Sequence, residues 1–288
     1  MLTTNLLNAY RTSSELYDNS THCILELLQN ADDCHYKEGV LPTLTFTFEP
    51  GALRVDCNER GFEAKHVEAI STVRYSTKTG GNHSYGYTGE KGIGFKSVYR
   101  IADEVWISSS EYSFKFDKLQ KFGMIAPEWA RFPRPVMPDL TSFFLKLAKE
   151  YNQAELIKEL KSFDPQLLLF LRRIRKVVLK VLDEDDNEWS QSIHKTTMEE
   201  CNNTIISLDI DGTQQRFAKF KHLVVDLPLE PRRADKSSSS LTFAFPITTL
   251  PAEPQLRHQQ VFALLPISDH GLRVCLYGLS PIMDKLTN

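Results

Sequence analysis

Residues 21–34 read THCILELLQNADDC, and this stretch decides how the chain is to be read. Taken as a helix, it places Ile24, Leu27, Leu28 and Ala31 at the i, i+3, i+4, i+7 spacing of one apolar face. Glu26, Asn30 and Asp33 fall at i, i+4, i+7 on the opposite side. A carboxylate, an amide and a second carboxylate therefore line up along one flank. Such a trio can hold a water, a cation and a hydrogen-bonding ligand. Alone it is weak, because a polar helix flank is most often just solvated. The neighbouring segments decide which reading holds.

The chain has 288 residues, room for one large or two ordinary domains and an ample core. Apolar residues make up 41% and charged residues 25%, as in ordinary globular proteins. Lys and Arg total 34 against 37 Asp and Glu, a net charge of −3, so no global field favours nucleic acid. No apolar run is long enough to span a bilayer, and the N-terminus MLTTNLLNAYRTSS has no signal-peptide core. The cysteines at 23, 34, 57, 201 and 275 are odd in number and lack C-x-x-C spacing. Free thiols in a reducing compartment are expected, and with them an intracellular location, cytoplasmic or nuclear.

Working outward, residues 6–17 read as a helical lead-in, with Asn19 or Ser20 as N-cap of the next helix. In LPTLTFTFEP (41–50), Leu44, Phe46 and Phe48 alternate with threonines, the pattern of a half-buried strand. Pro50-Gly51 makes a turn, and ALRV (52–55) pairs back as a hairpin. That strand runs into the polar cluster Asp56-Cys57-Asn58-Glu59-Arg60-Gly61, which is either a plain turn or a ligand-contacting loop. Residues 63–73 read as a helix with Val67 and Ile70 inward, and the polar stretch 76–84 as a lid or linker.

Four of the 13 glycines then fall within residues 86–94: Gly86, Gly89, Gly92 and Gly94. Glycines let a backbone come close to a ligand and turn its N–H groups toward phosphate oxygens. The helix start at FKSVYRIA adds free N–H groups for an anion. Two common phosphate loops fail here. A Walker A loop needs Lys where Phe95 stands, and the Rossmann order G-x-G-x-x-G is replaced by G-x-x-G-x-G.

Three motifs now stand in order over about seventy residues: E-x-x-x-N-A-x-D on a helix, N-E-x-G-F after a strand, and T-G-x-x-G-x-G-F at a helix start. This set resembles the GHKL ATPase superfamily, which includes the ninety-kilodalton heat-shock chaperones, DNA gyrase, MutL and histidine kinases. ELLQNADDC, NERGF, the Ser-Thr-Lys stretch and GEKGIGFKSVYRIAD look most like its sacsin and NO VEIN branch, especially the fungal proteins. FGM (122–124), PEW (127–129) and LLLFLRRIRKV also look like that branch.

The resemblance implies roles for matching positions. Glu26 matches the carboxylate that polarises the attacking water, and Asn30 the amide that completes a magnesium shell beside the phosphates. Asp33 matches an acidic residue near the nucleoside. Gly89, Gly92 and Gly94 match the glycines that wrap the phosphates, with Lys91, Ile93 and Phe95 between and after them. Lys78, in the lid-like stretch, is counted among the nucleotide contacts, and Thr141 looks like the threonine behind the adenine. The first glycine box departs from the usual D-x-G-x-G. With Gly61 in register on the second glycine, Cys57 stands at the aspartate position and Glu59 replaces the first glycine. Asp56 and Asn58 flank Cys57, and either can supply the adenine acceptor.

The expected fold class is α+β: a two-layer α/β sandwich of Bergerat type over residues 1–150, then a partial, truncated middle or transducer-like α/β segment over 151–288. Strands are expected at 105–108, 112–116, 141–147, 204–209, 219–226, 241–247 and 260–265. A helix is expected at 153–161, and 164–182 should be helix first and strand later. The basic run Arg172, Arg173, Arg175, Lys176 reads as the solvated flank of a core element ahead of a nucleic-acid patch. Residues 232–240 read as a charged, serine-rich mobile loop. In relatives a basic residue of the second segment reaches the γ-phosphate, for which Arg232 and Arg273 are candidates. The expected function is a chaperone-like module that binds ATP and Mg2+, with hydrolysis through Glu26 driving a lid switch. A degenerate interaction scaffold without turnover is the alternative. A protein client and a homodimer are carried as partner expectations; membrane and nucleic acid are not.

Overall fold

The computed structural model describes residues 22–71, 94–124, 126–185, 187–200, 203–225, 239–247, 260–263, 265–269 and 275–277. The expected lead-in helix, the stretch 76–84, Lys78, Gly89, Lys91, Gly92, Ile93, Arg232 and Arg273 lie outside these residues. The chain divides into two compact units, Met1–Phe163 with Arg172–Ser192, and Asp164–Leu171 with Ile193–Asn288.

The expectation of a two-layer α/β sandwich followed by a partial α/β segment is corrected. The described residues form mostly a large mixed β-sheet, and their helices are few and short. The physical cause lies in the period of the apolar residues. Outside α1 (His22–Asp33), α2 (Ala64–Ser71) and α3 (Gln153–Lys161), the sequence alternates with period two and is rich in threonine and β-branched residues. The second unit contains no described α-helix, and PQLLL there forms a 3₁₀ turn, Pro165–Leu169.

In the first unit the strand order is β7-β1-β2-β6-β3-β4-β5. These are β1 (Thr43–Glu49), β2 (Ala52–Cys57), β3 (Ala102–Ser109), β4 (Tyr112–Asp117), β5 (Glu128–Trp129), β6 (Thr141–Leu147) and β7 (Lys176–Leu182). Gly51 takes φ +82 in the β1–β2 turn, a conformation that favours glycine. All pairs are antiparallel except β1 with β7, which run parallel.

The register sorts side chains onto two faces. Leu179, Phe46, Val55, Phe143, Ile107 and Phe114 follow one another across six strands on one face. This is the core face, where Phe46, Val55, Ile107, Phe114 and Leu179 are fully buried. Its neighbours on the other face are Arg54, Asp56, Ser142, Lys146 and Glu104, with a small apolar cluster of Ala52, Phe132, Phe144 and Trp106. Burying the core-face Leu, Val, Ile and Phe side chains contributes about 1.5–3 kcal/mol each. Helix α1 lies on the core face, with Ile24, Leu27, Leu28 and Ala31 buried as the spacing predicts. A 3₁₀ segment, Gly94–Arg100, packs against α1 where a helix start was expected.

The second unit has the order β13-β12-β14-β11-β10-β9-β8. Its strands are β8 (Glu188–Glu200), β9 (Asn203–Ile210), β10 (Thr213–Val224), β11 (Ser239–Ile247), β12 (Gln260–Ala263), β13 (Leu265–Asp269) and β14 (Cys275–Tyr277). The 3₁₀ turn is held by lysines. Lys195 donates to Leu168 O at 2.8 Å and Leu171 O at 2.6 Å, and Lys219 donates to Leu169 O at 3.1 Å. Strand β8 was not expected from the sequence, because its residues EWSQSIHKTTMEE are too polar to show an apolar alternation.

Candidate functional site

Glu26 and Asn30 sit one turn apart on α1, both half-buried. The thiol of Cys23, on the turn before, is pushed far up by burial, then by Glu159 of α3 and by Glu26. A fully buried, neutral thiol thus underlies the flank that carries Glu26. At the other end of the helix, Cys34 Sγ donates to Asn30 O at 3.1 Å, and the Tyr36 hydroxyl donates to Ala31 O at 2.7 Å. The same hydroxyl lies 3.2 Å from Cys57 Sγ on β2, which joins the C-terminal end of α1 to the core face. Burial pushes the Cys57 thiol up to about 12, and Tyr36 is raised by burial and by Cys57.

Asp33 was expected on the same flank, near a nucleoside. Its side chain is instead buried and ion-paired with Arg172, which donates to Asp33 Oδ1. Its neighbour Asp32, which the sequence reading passed over, accepts the backbone N–H groups of Arg172, Arg173 and Ile174 at 2.8, 2.7 and 2.9 Å. The aspartate doublet thus anchors the turn into β7. The basic run is correspondingly not a simple solvated flank, since Arg172 and Arg173 are fastened to the end of α1.

Parity decides which residues of the first glycine box reach the site. Leu53, Val55 and Cys57 point to the core face, whereas Arg54 and Asp56 point away from it. Asp56 accepts Arg54 Nε at 2.8 Å and Ser142 Oγ at 2.5 Å on the face away from α1. Asn58 closes the loop instead, accepting Thr43 N at 2.8 Å and donating to Leu41 O at 2.9 Å. The residue that continues the core-face parity is Glu59. Its carboxylate is buried and accepts the Thr141 hydroxyl at 2.5 Å, and Thr141 Oγ1 lies 2.6 Å from Ser109 Oγ. Ser109 Oγ in turn accepts Phe62 N at 2.8 Å. Glu59 was not chosen as a site residue because it stands at a glycine position of the first box, yet the strand parity of ALRVDCNE was available to find it.

Gly61 takes φ +93, and a Cβ there would stand 2.2 Å from Ser110 Oγ. A cavity of about 150 Å³ opens beside the box, lined among others by Glu59, Gly61, Ser108, Ser110 and Met137. Ser108 pairs with Ser142, so this cavity reaches the face away from α1. Gly94 opens the 3₁₀ segment, and the Phe95 ring packs on Phe143 of the core face at 5.7 Å. The described residues therefore bring Glu26, Asn30, Glu59, Thr141 and Phe95 to one face of one sheet. They place Asp56 on the other face, and they engage Asn58 and Asp33 in loop closure and an ion pair.

Among the described residues there is no cluster of three or more His, Cys, Asp or Glu side chains for a metal. A magnesium ion at Asn30 would take one amide oxygen from the chain and its remaining ligands from phosphate and water, a donor set that suits this cation. No described helix is long and apolar enough to cross a membrane.

No protein-family model matches the chain. The chain is similar to Protein NO VEIN of Arabidopsis thaliana, with 32% identity over 292 aligned positions that cover 92% of this chain and 10% of that protein. It is also similar to sacsin of Homo sapiens, with 32% identity over 131 positions, 39% of this chain and 2% of that protein. These identities make the chain a homologue of both, and it spans about a tenth of the length of the first.

Proposed function

We propose that the first unit is a magnesium-dependent ATP-binding module of the GHKL type, with hydrolysis through Glu26. The supporting observation is the placement of Glu26 and Asn30, half-buried on α1, the helix that packs against the 3₁₀ segment beginning at Gly94. Likeness to NO VEIN over 92% of the chain supports the branch named from the motifs.

In this reading Asn30 offers its amide oxygen to the cation, and the N–H groups of Gly94 and Phe95 face phosphate oxygens. When bound, the magnesium ion neutralises charge on the transferred phosphoryl group. Glu26 orients a water in line with the γ-phosphorus and accepts its proton as the new P–O bond forms and the bond to the ADP oxygen breaks. Glu59, backed by Thr141, replaces Asp56 and Asn58 as the acceptor proposed for the base. The engagement of Asp33 by Arg172 favours, as second reading, a scaffold that has kept the fold and lost turnover.

Calorimetry with ATP and magnesium tests the reading. Saturable binding by the wild type, lost in Asn30→Ala, together with phosphate release lost in Glu26→Ala, is the expected result. Binding without turnover leaves a nucleotide-sensing switch, and no binding at millimolar ATP leaves the scaffold.

A further inference from the structure

Lys96 is a buried amine whose neighbours, among the described residues, are backbone carbonyls and aromatic rings. Its Nζ donates to Ile70 O at 2.9 Å and to Met124 O. Three rings surround the same atom, with centroids at 4.9 Å for Phe116, 5.7 Å for Tyr99 and 5.9 Å for Phe95. The ammonium thus makes two charge-assisted hydrogen bonds and turns its remaining surface to aromatic faces.

Each partner belongs to a different segment. Ile70 lies in α2 (Ala64–Ser71). Met124 follows β4, and Phe116 lies within it on the core face. Lys96 itself stands two residues after Gly94. One side chain therefore fixes three segments around the start of the 3₁₀ helix. A methionine would fill the same apolar space without the desolvation cost of a charge, so the charge has to be explained by the carbonyls it joins.

We infer that Lys96 is a positioning residue that holds the Gly94–Phe95 backbone where it meets the nucleotide phosphates. This rests on the ATP-binding reading of the same unit. Lys96 touches no ligand; it acts through the segments it joins.

The test compares the wild type with Lys96→Met, which keeps the volume and removes the charge, and Lys96→Arg, which keeps charge and donors. ATP and ADP affinities are read by calorimetry, and amide exchange is read in peptides covering 64–71 and 118–124. Lys96→Met is expected to bind both nucleotides about tenfold more weakly or worse, since small displacements of a positioned group are costly. Its two peptides are expected to exchange faster, with Lys96→Arg closer to wild type in both readouts. Wild-type binding together with equal affinity in folded Lys96→Met overturns the proposal alone. Unchanged exchange in both peptides overturns it too. A wild type that binds no ATP overturns the parent reading and this proposal together. Where Lys96→Met does not fold, Phe116→Leu removes the nearest ring and leaves the amine. Weaker nucleotide affinity in that variant supports the proposal and unchanged affinity overturns it.

Discussion

The Thr141 hydroxyl donates to Glu59 Oε1 at 2.5 Å, on a sheet face built mostly from Leu, Val, Ile and Phe. A buried carboxylate needs donors, and Thr141 supplies the one that comes from the neighbouring strand. Thr141→Val keeps the shape of the side chain and removes that donor. It is expected to destabilise the first unit by about 1–3 kcal/mol. Urea unfolding checks this, and Glu59→Gln in the Thr141→Val background should recover part of the loss, because a neutral amide costs less to bury.

Asp32 accepts three consecutive backbone N–H groups across the turn into β7. Asp32→Ala leaves all three without that acceptor and is expected to cost roughly 3 kcal/mol or more. Asp32→Asn keeps one acceptor oxygen and should lose less. The order of the two urea midpoints is the measurement, and equal midpoints would show that the turn is held by other contacts.

At Gly61 two costs are superimposed. The φ of +93 disfavours any side chain, and a Cβ would stand 2.2 Å from Ser110 Oγ. Gly61→Ala is expected to lose about 1–3 kcal/mol. Adding Ser110→Ala removes the nearest atom and should restore only the steric part. Full restoration by the double variant would mean that the backbone angle costs nothing.

The amine of Lys96 is pushed down to about 8 by burial, from 10.5 in a free chain. Between those values the unfolded chain holds the proton that the folded chain has released, so stability contributed by this group rises with pH above about 8. The phenols of Tyr36 and Tyr99 act oppositely, being raised by burial, and their effect begins near pH 10. The buried thiols of Cys23 and Cys57, also raised, act like the phenols but from about pH 9, so the lysine is isolated by the difference in melting temperature between wild type and Lys96→Met from pH 8 to 9.5. Wild type is expected to gain stability over this window relative to Lys96→Met, and parallel profiles would sink the assignment.

Much of the first unit was legible from local pattern. The apolar face of α1, the alternation of β1, the Pro50-Gly51 hairpin, β6 at Thr141–Leu147 and α3 at Gln153–Lys161 all follow from periods of 3.6 and 2.0. Helix α2 forms over Ala64–Ser71, residues 72–73 of the expected helix lie outside the described residues, and Val67 and Ile70 are only half-buried. The LLLFLRRIRKVVLKVL run does divide into a turn of helix and then β7. The expected balance of helix and sheet failed in the second unit, where strands such as β8 carry too few apolar residues to announce themselves.

The candidate site was legible in part. Glu26 and Asn30 followed from helical spacing, and Thr141 from a strand that formed where expected. Asp33, Asp56 and Asn58 were read by motif position, and their partners lie elsewhere in the chain: Arg172, Ser142 and Thr43.

The sequence by itself determined which segments are helix or strand in the first unit and which side of each is apolar, because backbone period couples residues only a few positions apart. Tertiary structure alone decided that Asp32 and Asp33 serve the turn into β7, and that Glu59 is the carboxylate beside Thr141. It also decided that one lysine joins α2, the residues after β4 and the glycine segment. These depend on bringing together residues as far apart as Asp32 and Ile174, 142 positions along the chain. Such pairings are chosen by the burial and desolvation energies of the assembled sheet, which no local period encodes.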